Sequence, residues 1–258
     1  MTLGIISARG GSVRLPRKNI KSFCGEPLLI WSIAQAKASK LIDYVCVTTD
    51  DEEMFGAAYD FGCHQTILRP KWDNDTTLGV PLLHAINVLK KQGIIPDHII
   101  TLMPIMPLRF PGDIDGMIQE HLERGSDSTR FFGISRECSV YKNDRDMTNR
   151  YGKGYFVDPV VWDKSWQYSS NASGTCIGKT EYLRSRWDVP CKSDREFDKL
   201  FQNVANLPSK IGAYSVYDWQ AFECDYLHWF EICEVIMEKM ILKGRGIELY
   251  QDYKDGHI

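Results

Sequence analysis

Residues able to do chemistry gather first in the stretch Ala8-Arg9-Gly10-Gly11-Ser12-Val13-Arg14-Leu15-Pro16-Arg17-Lys18-Asn19, directly behind a short apolar run. Two adjacent glycines let a backbone approach a bound anion and turn successive N–H groups toward it. Five cationic residues lie between Arg9 and Lys21, more than an ordinary turn carries. Cations this close repel unless something anionic lies among them, with arginine suited to bidentate contact and lysine to a point charge. The chemistry predicted is the binding of a polyphosphate. The spacing is neither GxGxxG nor GxxxxGK[ST], so neither the dinucleotide fingerprint nor the P-loop applies. A basic surface loop, or a nuclear localisation signal over 14–21, is the alternative. A glycine pair straight after a buried strand argues against it.

No other reactive group is as concentrated. The eight cysteines are scattered, with no CxxC and no pair of histidines beside any of them, which argues against zinc. They are expected to be reduced thiols. The six histidines form no cluster, and His84, within a helical pattern, is expected to pack rather than catalyse. Thirty-one Lys and Arg against 34 Asp and Glu give a net charge of -3, which excludes a nucleic-acid coat. A 43% hydrophobic content excludes disorder, and no apolar run approaches the ~20 residues of a bilayer span. Residues 1–6 run into a strand-like segment with no basic n-region or long apolar h-region. A cytoplasmic protein without nucleic-acid or membrane partners is expected.

The elements that must position the loop alternate along the first half. Strands are expected over 3–7, 44–48, 65–68, 98–102 and 130–134. Helices are expected from 27 onward and over 51–61, 80–91 and 111–123. Strands alternating with helices of this length predict parallel βαβ units in an open sheet covered on both faces. Ligands on such sheets sit at the carboxyl ends of strands, where the polar segments 7–21, 48–51 and 104–109 fall. The pattern breaks over 136–170, where aromatic and charged residues crowd without periodicity, as in an excursion that packs on another subunit or a lid. It returns with a strand at 213–216, a segment at 221–225 and a helix over 227–240.

The loop, read as strand–ARGGSxRLPRKN, resembles the signature of the sugar-acid cytidylyltransferases, which act on acylneuraminic, legionaminic, pseudaminic and 3-deoxy-manno-octulosonic acids. The likeness continues in order along the chain. Val45-Cys46-Val47-Thr48-Thr49-Asp50-Asp51-Glu52-Glu53 resembles the family's strand ending in STDDEE, and Leu68-Arg69-Pro70 with Asp75-Thr76 its LRP…DT segment. Pro104, Pro107, Leu108 and Arg109 match the frame of QPTSPLR. Asn171-Ala172 with Lys179-Thr180-Glu181 is similar to NGAIYIxKTExL, and Lys210-Ile211-Gly212-Ala213-Tyr214 to KxGAYxM.

The resemblance implies one Rossmann-like α/β nucleotidyltransferase domain over 1–258, a GT-A-like three-layer sandwich that dimerises through an excursion at 136–170. It implies a reaction in which CTP and a 2-keto-3-deoxy sugar acid give the CMP-sugar and pyrophosphate. Arg9, Ser12 and Lys18 would contact the triphosphate, with Ala8, Gly10, Gly11 and Asn19 adjoining. Arg69, Asp75, Thr76 and Thr77 would lie near base and ribose. Met103, Arg109 and Asn171 would face the acceptor, although Arg109 reads equally well as a structural salt bridge. Mg²⁺ would be held where the family's DxD aligns with Glu223-Cys224-Asp225, since residues i and i+2 of a strand share a face. Asp225 is the expected ligand, and with Arg9 and Lys18 the expected catalytic set. Glu223 departs from the family's Asp.

Larger departures are Met103, Ile105 and Met106, where the family has Gln, Thr and Ser. Three readings follow. The chain is a CTP-dependent sugar-acid cytidylyltransferase, or a nucleotidyltransferase with another acceptor, or a non-catalytic homologue that binds nucleotide. The intact phosphate loop favours the first.

Overall fold

The structure is a computed structural model and describes residues 1–72, 78–135, 167–169, 175–187 and 210–243. The chain opens with β1 (Thr2–Ala8), a ribbon of β2 (Ser22–Phe23) and β3 (Glu26–Pro27), and α1 (Leu28–Ala38). It continues through β4 (Tyr44–Thr49), α2 (Glu52–Asp60), β5 (Gln65–Leu68), α3 (Gly79–Lys91), β6 (His98–Leu102), α4 (Asp113–Arg124) and β7 (Ser128–Ser135). Then come β8 (Gln167–Ser169), β9 (Thr175–Lys179), α5 (Thr180–Trp187), β10 (Ile211–Tyr217) and α6 (Leu227–Ile236).

The main sheet runs β10-β7-β9-β6-β1-β4-β5, with β8 also paired to β7. From β1 the chain moves outward through β4 to β5, then returns to lay β6 on the other side of β1. That reversal makes a crevice at the carboxyl ends of β1 and β6, the place where open α/β sheets bind ligands.

The expected all-parallel sheet needs one correction. β9 lies antiparallel between β6 and β7, and β8 is antiparallel to β7. β9 was not foreseen: its sequence, Thr-Cys-Ile-Gly-Lys, is short and has no clear alternation of polar and apolar residues. It is largely buried because strands cover both of its edges.

Helices cover both faces, as a three-layer α/β fold requires. Alternation within β1 sends Ile6 and Ala8 toward Leu29, Ile33, Met54 and Met117, and Leu3 and Ile5 toward Leu82, Ile86 and Leu89. Helix α1 is apolar nearly all round because it packs on two sides: Leu28 and Trp31 join a second core with Phe230 and Met237. The side chain of Asp51 caps α2 by accepting from the Met54 N–H, and Glu52 and Glu53 suit the positive end of the helix dipole. Helix α4 stops at Gly125, whose φ of 59° is the left-handed turn that glycine takes without strain.

Candidate active site

A cleft of about 650 Å³ opens at the carboxyl ends of β1, β4 and β6. One wall is the loop after β1, where Arg9, Gly10, Gly11, Lys18 and Asn19 line the space. The loop rests on the turn between β4 and α2. The Gly10 N–H donates to Asp50 Oδ1 at 2.8 Å, and a Cβ at Gly10 would lie 2.6 Å from Asp51 Oδ2. Any larger residue there would have to push the Asp51 carboxylate aside. The Gly10 N–H is therefore held by a carboxylate in this structure, not aimed freely at the cleft as the sequence suggested. Asn19 Nδ2 donates to the Arg9 carbonyl at 3.1 Å and fixes the loop's far end, while Asn19 Oδ1 and Ser12 Oγ are buried without partners. Ala8, expected near the nucleotide, turns its side chain into the core instead.

The loop's cations are gripped by acids from the start of α2 and from the turn before α6. Lys18 and Arg14 both bind Asp225, and Arg17 binds Asp51 and Glu53. Burial pushes the Asp225 carboxyl up, but the hydrogen bond and charge of Lys18, aided by Arg14, outweigh it and hold the group below the usual range. On the cleft wall across from the loop, Arg69 lies 3.5 Å from Asp50 and stacks over Trp72 at 5.1 Å. Burial lowers its pKa, and Asp50 opposes that shift. Asp50 thus touches both the glycine loop and the end of β5. In all, five cations (Arg9, Arg17, Lys18, Arg69, Lys71) and three carboxylates (Asp50, Asp51, Asp225) line the space.

The expected strand over 223–225 is absent. The Asp225 N–H donates to the Glu223 carbonyl at 2.8 Å, closing a three-residue turn, and the Cys224 N–H donates to the Ile105 carbonyl at 2.8 Å. That turn sends Asp225 to the cleft, while Glu223 is not among its lining residues. Burial, then the neighbouring Asp225, push the Glu223 carboxyl up. The two acids do not share a strand face.

Of the three apolar departures, Met103 and Ile105 line the cleft, whereas Met106 is 1% exposed and belongs to the core. Arg109 also moves off the list of groups facing the acceptor. It lies beneath the cleft, donating to Thr175 Oγ1 at 2.9 and 3.0 Å, Gln35 Oε1 at 2.7 Å, Ser32 Oγ at 3.2 Å and the Met103 carbonyl at 3.1 Å. Burial pulls its guanidinium below the usual range, and nearby Asp113 partly offsets this. All four direct partners are neutral, so it forms a buried hydrogen-bond hub and not the structural salt bridge. Asp75, Thr76, Thr77 and Asn171 lie outside the described residues, as does all of the expected excursion at 136–170 except 167–169. Sequence reasoning gave no individual role to Asp50, Asp51 or Trp72, and counted Arg17 only among the loop's five cations. The carboxylate pair ending a β-branched strand was the available signal for the first two.

The comparisons agree with this geometry. A family model described as Cytidylyltransferase matches residues 3–173. A pseudaminic acid cytidylyltransferase from Campylobacter jejuni is 39% identical over 227 residues, covering 78% of this chain and 96% of that protein. A CMP-N,N'-diacetyllegionaminic acid synthase from Legionella pneumophila is 30% identical over 163 residues, covering 62% of this chain and 70% of that one. Among solved structures, a CMP:2-keto-3-deoxy-manno-octonic acid synthetase superposes with a TM-score of 0.64 at 17% identity, covering 93% of this chain and 99% of that one. That likeness fixes the fold as Rossmann-like. With the cationic glycine loop, the STDDEE-like strand end and the cleft they line in place, the matches show that this chain belongs to the cytidylyltransferase family, among its sugar-acid members, and is a CTP-dependent nucleotidyltransferase.

Proposed function

We propose that this enzyme transfers CMP from CTP to the anomeric hydroxyl of a 2-keto-3-deoxy sugar acid of the nonulosonate type, releasing pyrophosphate. The observation that carries the reading is the cleft's charge: five cations against three carboxylates, within a chain of net charge -3. A triphosphate supplies the missing anions. The anomeric oxygen attacks the α-phosphorus while pyrophosphate departs, so negative charge accumulates on phosphate oxygens. Positioning and electrostatic stabilisation are then the protein's main tasks. Lys18 and Arg9 face that charge from the loop, and Arg69 and Trp72 line the opposite side. Triphosphate oxygens compete with Asp225 for Lys18 and Arg14, which frees the Asp225 carboxylate as they bind.

A freed Asp225 fits Mg²⁺. It is a hard oxygen donor on the cleft wall, and Mg²⁺ takes most of its other ligands from phosphate and water. Among the described residues no cluster of three or more His, Cys, Asp or Glu would hold a metal unaided, as suits an ion that arrives with the nucleotide. When bound, Mg²⁺ supplies neutralisation of the phosphate charge. The homodimer belongs to the same reading, and sedimentation velocity on the full chain tests it: a monomer throughout the micromolar range removes it.

Pyrophosphate release with Mg²⁺, each of four NTPs and a panel of 2-keto-3-deoxy sugar acids tests the reaction. Turnover with CTP and an acid is the expected result. CTP binding without turnover across the panel overturns it.

A further inference from the structure

We propose that Arg17 is a positioning residue. Held by Asp51 and Glu53 at the head of α2, its side chain keeps its own backbone in a left-handed conformation, and that conformation presents Lys18 to the nucleotide already in place. This rests on CTP binding in the cleft, as read above, and is independent of the acceptor.

Among the described residues, three that are not glycine have positive φ: Arg17 at 57°, Cys24 at 48° and Lys243 at 52°. Arg17 is the one of the three that lines the cleft. An L side chain in this region crowds the following carbonyl, so such positions favour glycine or asparagine. The chain around Arg17 is held on both sides. Leu15 is anchored in the second core, Ile20 packs on the first, and the ring of Pro16 locks the residue before Arg17. The reversal between the two cores therefore falls on Arg17. Its carbonyl accepts from the Ile20 and Lys21 N–H groups, both at 3.1 Å, and closes the turn that carries Lys18 and Asn19 to the cleft.

The side chain offsets the strain of that reversal. Arg17 Nη1 donates to Asp51 Oδ2 at 2.5 Å, and Nη2 donates to Asp51 Oδ1 at 3.3 Å and to Glu53. Asp51 is itself fixed: its Oδ1 caps α2 by accepting from the Met54 N–H at 3.1 Å, and its Oδ2 lies close against Gly10. Asp50, one residue earlier, holds the Gly10 N–H. The head of α2 thus grips the loop at Gly10 and again at Arg17, and sets the distance between the glycines and Lys18. An exposed ion pair adds little to the stability of a whole fold, but here it has only one residue's conformation to hold. Without it the backbone relaxes, and CTP must restore the turn on binding, so apparent affinity falls with the fraction of loop that is competent. A direct grip of Arg17 on the triphosphate predicts the opposite for Asp51, whose carboxylate would then compete with the nucleotide.

Isothermal titration calorimetry with CTP on the full-length enzyme separates the two. Arg17→Ala and Arg17→Gly remove the same charge, and only glycine takes this φ without strain. Kd should rise in both, and about fivefold or more further in Arg17→Ala, as the left-handed penalty of an L residue implies. Asp51→Asn keeps a good cap on α2 and takes a negative charge out of the cleft. Kd should nevertheless rise about threefold or more, because fewer loops are competent. The same change made in Arg17→Gly should not raise it. An Arg17→Gly enzyme that binds CTP no more tightly than Arg17→Ala overturns the proposal. So does an unchanged or lowered Kd in Asp51→Asn. Thermal unfolding without CTP shows which variants are folded, and either comparison decides if the other is lost to misfolding. A wild-type enzyme that binds no CTP overturns the nucleotide reading itself, and this proposal with it.

Discussion

Lys18 and Asp225 meet in a side-chain pair, each 14% exposed, so solvent screens it weakly. Removing Lys18 takes away a donor to the developing charge. Lys18→Ala is expected to lower kcat by about 10²–10³-fold, the usual cost of one such donor. Steady-state kinetics with saturating CTP checks this, and full activity would disprove the loop's role. Asp50 permits a finer dissection, because it accepts from the Gly10 N–H and faces Arg69 with its other oxygen. Asp50→Asn keeps an acceptor for Gly10 and removes the charge beside Arg69, whereas Asp50→Ala removes both. KM for CTP should rise in both variants and further in Asp50→Ala. Equal values would mean that the Gly10 bond does not organise the loop.

At the scale of elements, a histidine pair joins β6, α4 and β7 at the end of the sheet opposite the cleft. His98 Nδ1 lies 3.1 Å from His121 Nε2, and His121 Nδ1 lies 3.2 Å from Thr129 Oγ1. Burial, with smaller contributions from His98 and Lys179 against Asp127, takes His121 down to about 4. Its unfolded value is about 6.5. Below pH 6.5 the unfolded chain binds a proton that the folded chain refuses, so stability falls as the pH drops from about 6.5 toward 4. His98 is lowered chiefly by burial too and acts in the same sense. Urea unfolding of the wild type should show a lower free energy at pH 5 than at pH 7.5, and His121→Gln should flatten the difference. An equal slope in the variant would remove His121 as the cause.

For the whole molecule, the charge distribution matters more than its sum. A chain of net charge -3 sets five cations against three carboxylates at this cleft, so association with a triphosphate should weaken as salt shortens the screening length from about 10 Å at 0.1 M. CTP at about 100 times its Kd should stabilise the fold by roughly 2.7 kcal/mol through linkage. Thermal unfolding with and without CTP, at low and high salt, measures both effects. A CTP shift that grows with salt would show that the cleft's charge does not govern binding.

The sequence by itself determined the parallel half of the sheet, because buried β-branched runs and amphipathic helices at these lengths leave few other arrangements. It also marked the loop after β1 as a cationic segment of the site, since paired glycines among five cations stand out within a dozen residues. Both signals are local: each depends on residues within a few positions of one another. What the tertiary structure alone decided depends on contacts across long separations. Antiparallel β9 takes its place from β6 and β7 on its two edges. The turn at Cys224 exists because it docks on Ile105, and it separates Asp225 from Glu223. Arg109, a surface-type residue in sequence, became a buried hub because Ser32 and Gln35 of α1 and Thr175 of β9 converge on it from distant parts of the chain. Met103 lines the cleft, Met106 is buried in the core, and Ile105 touches both, a division set by where the chain turns after β6 and not by residue type.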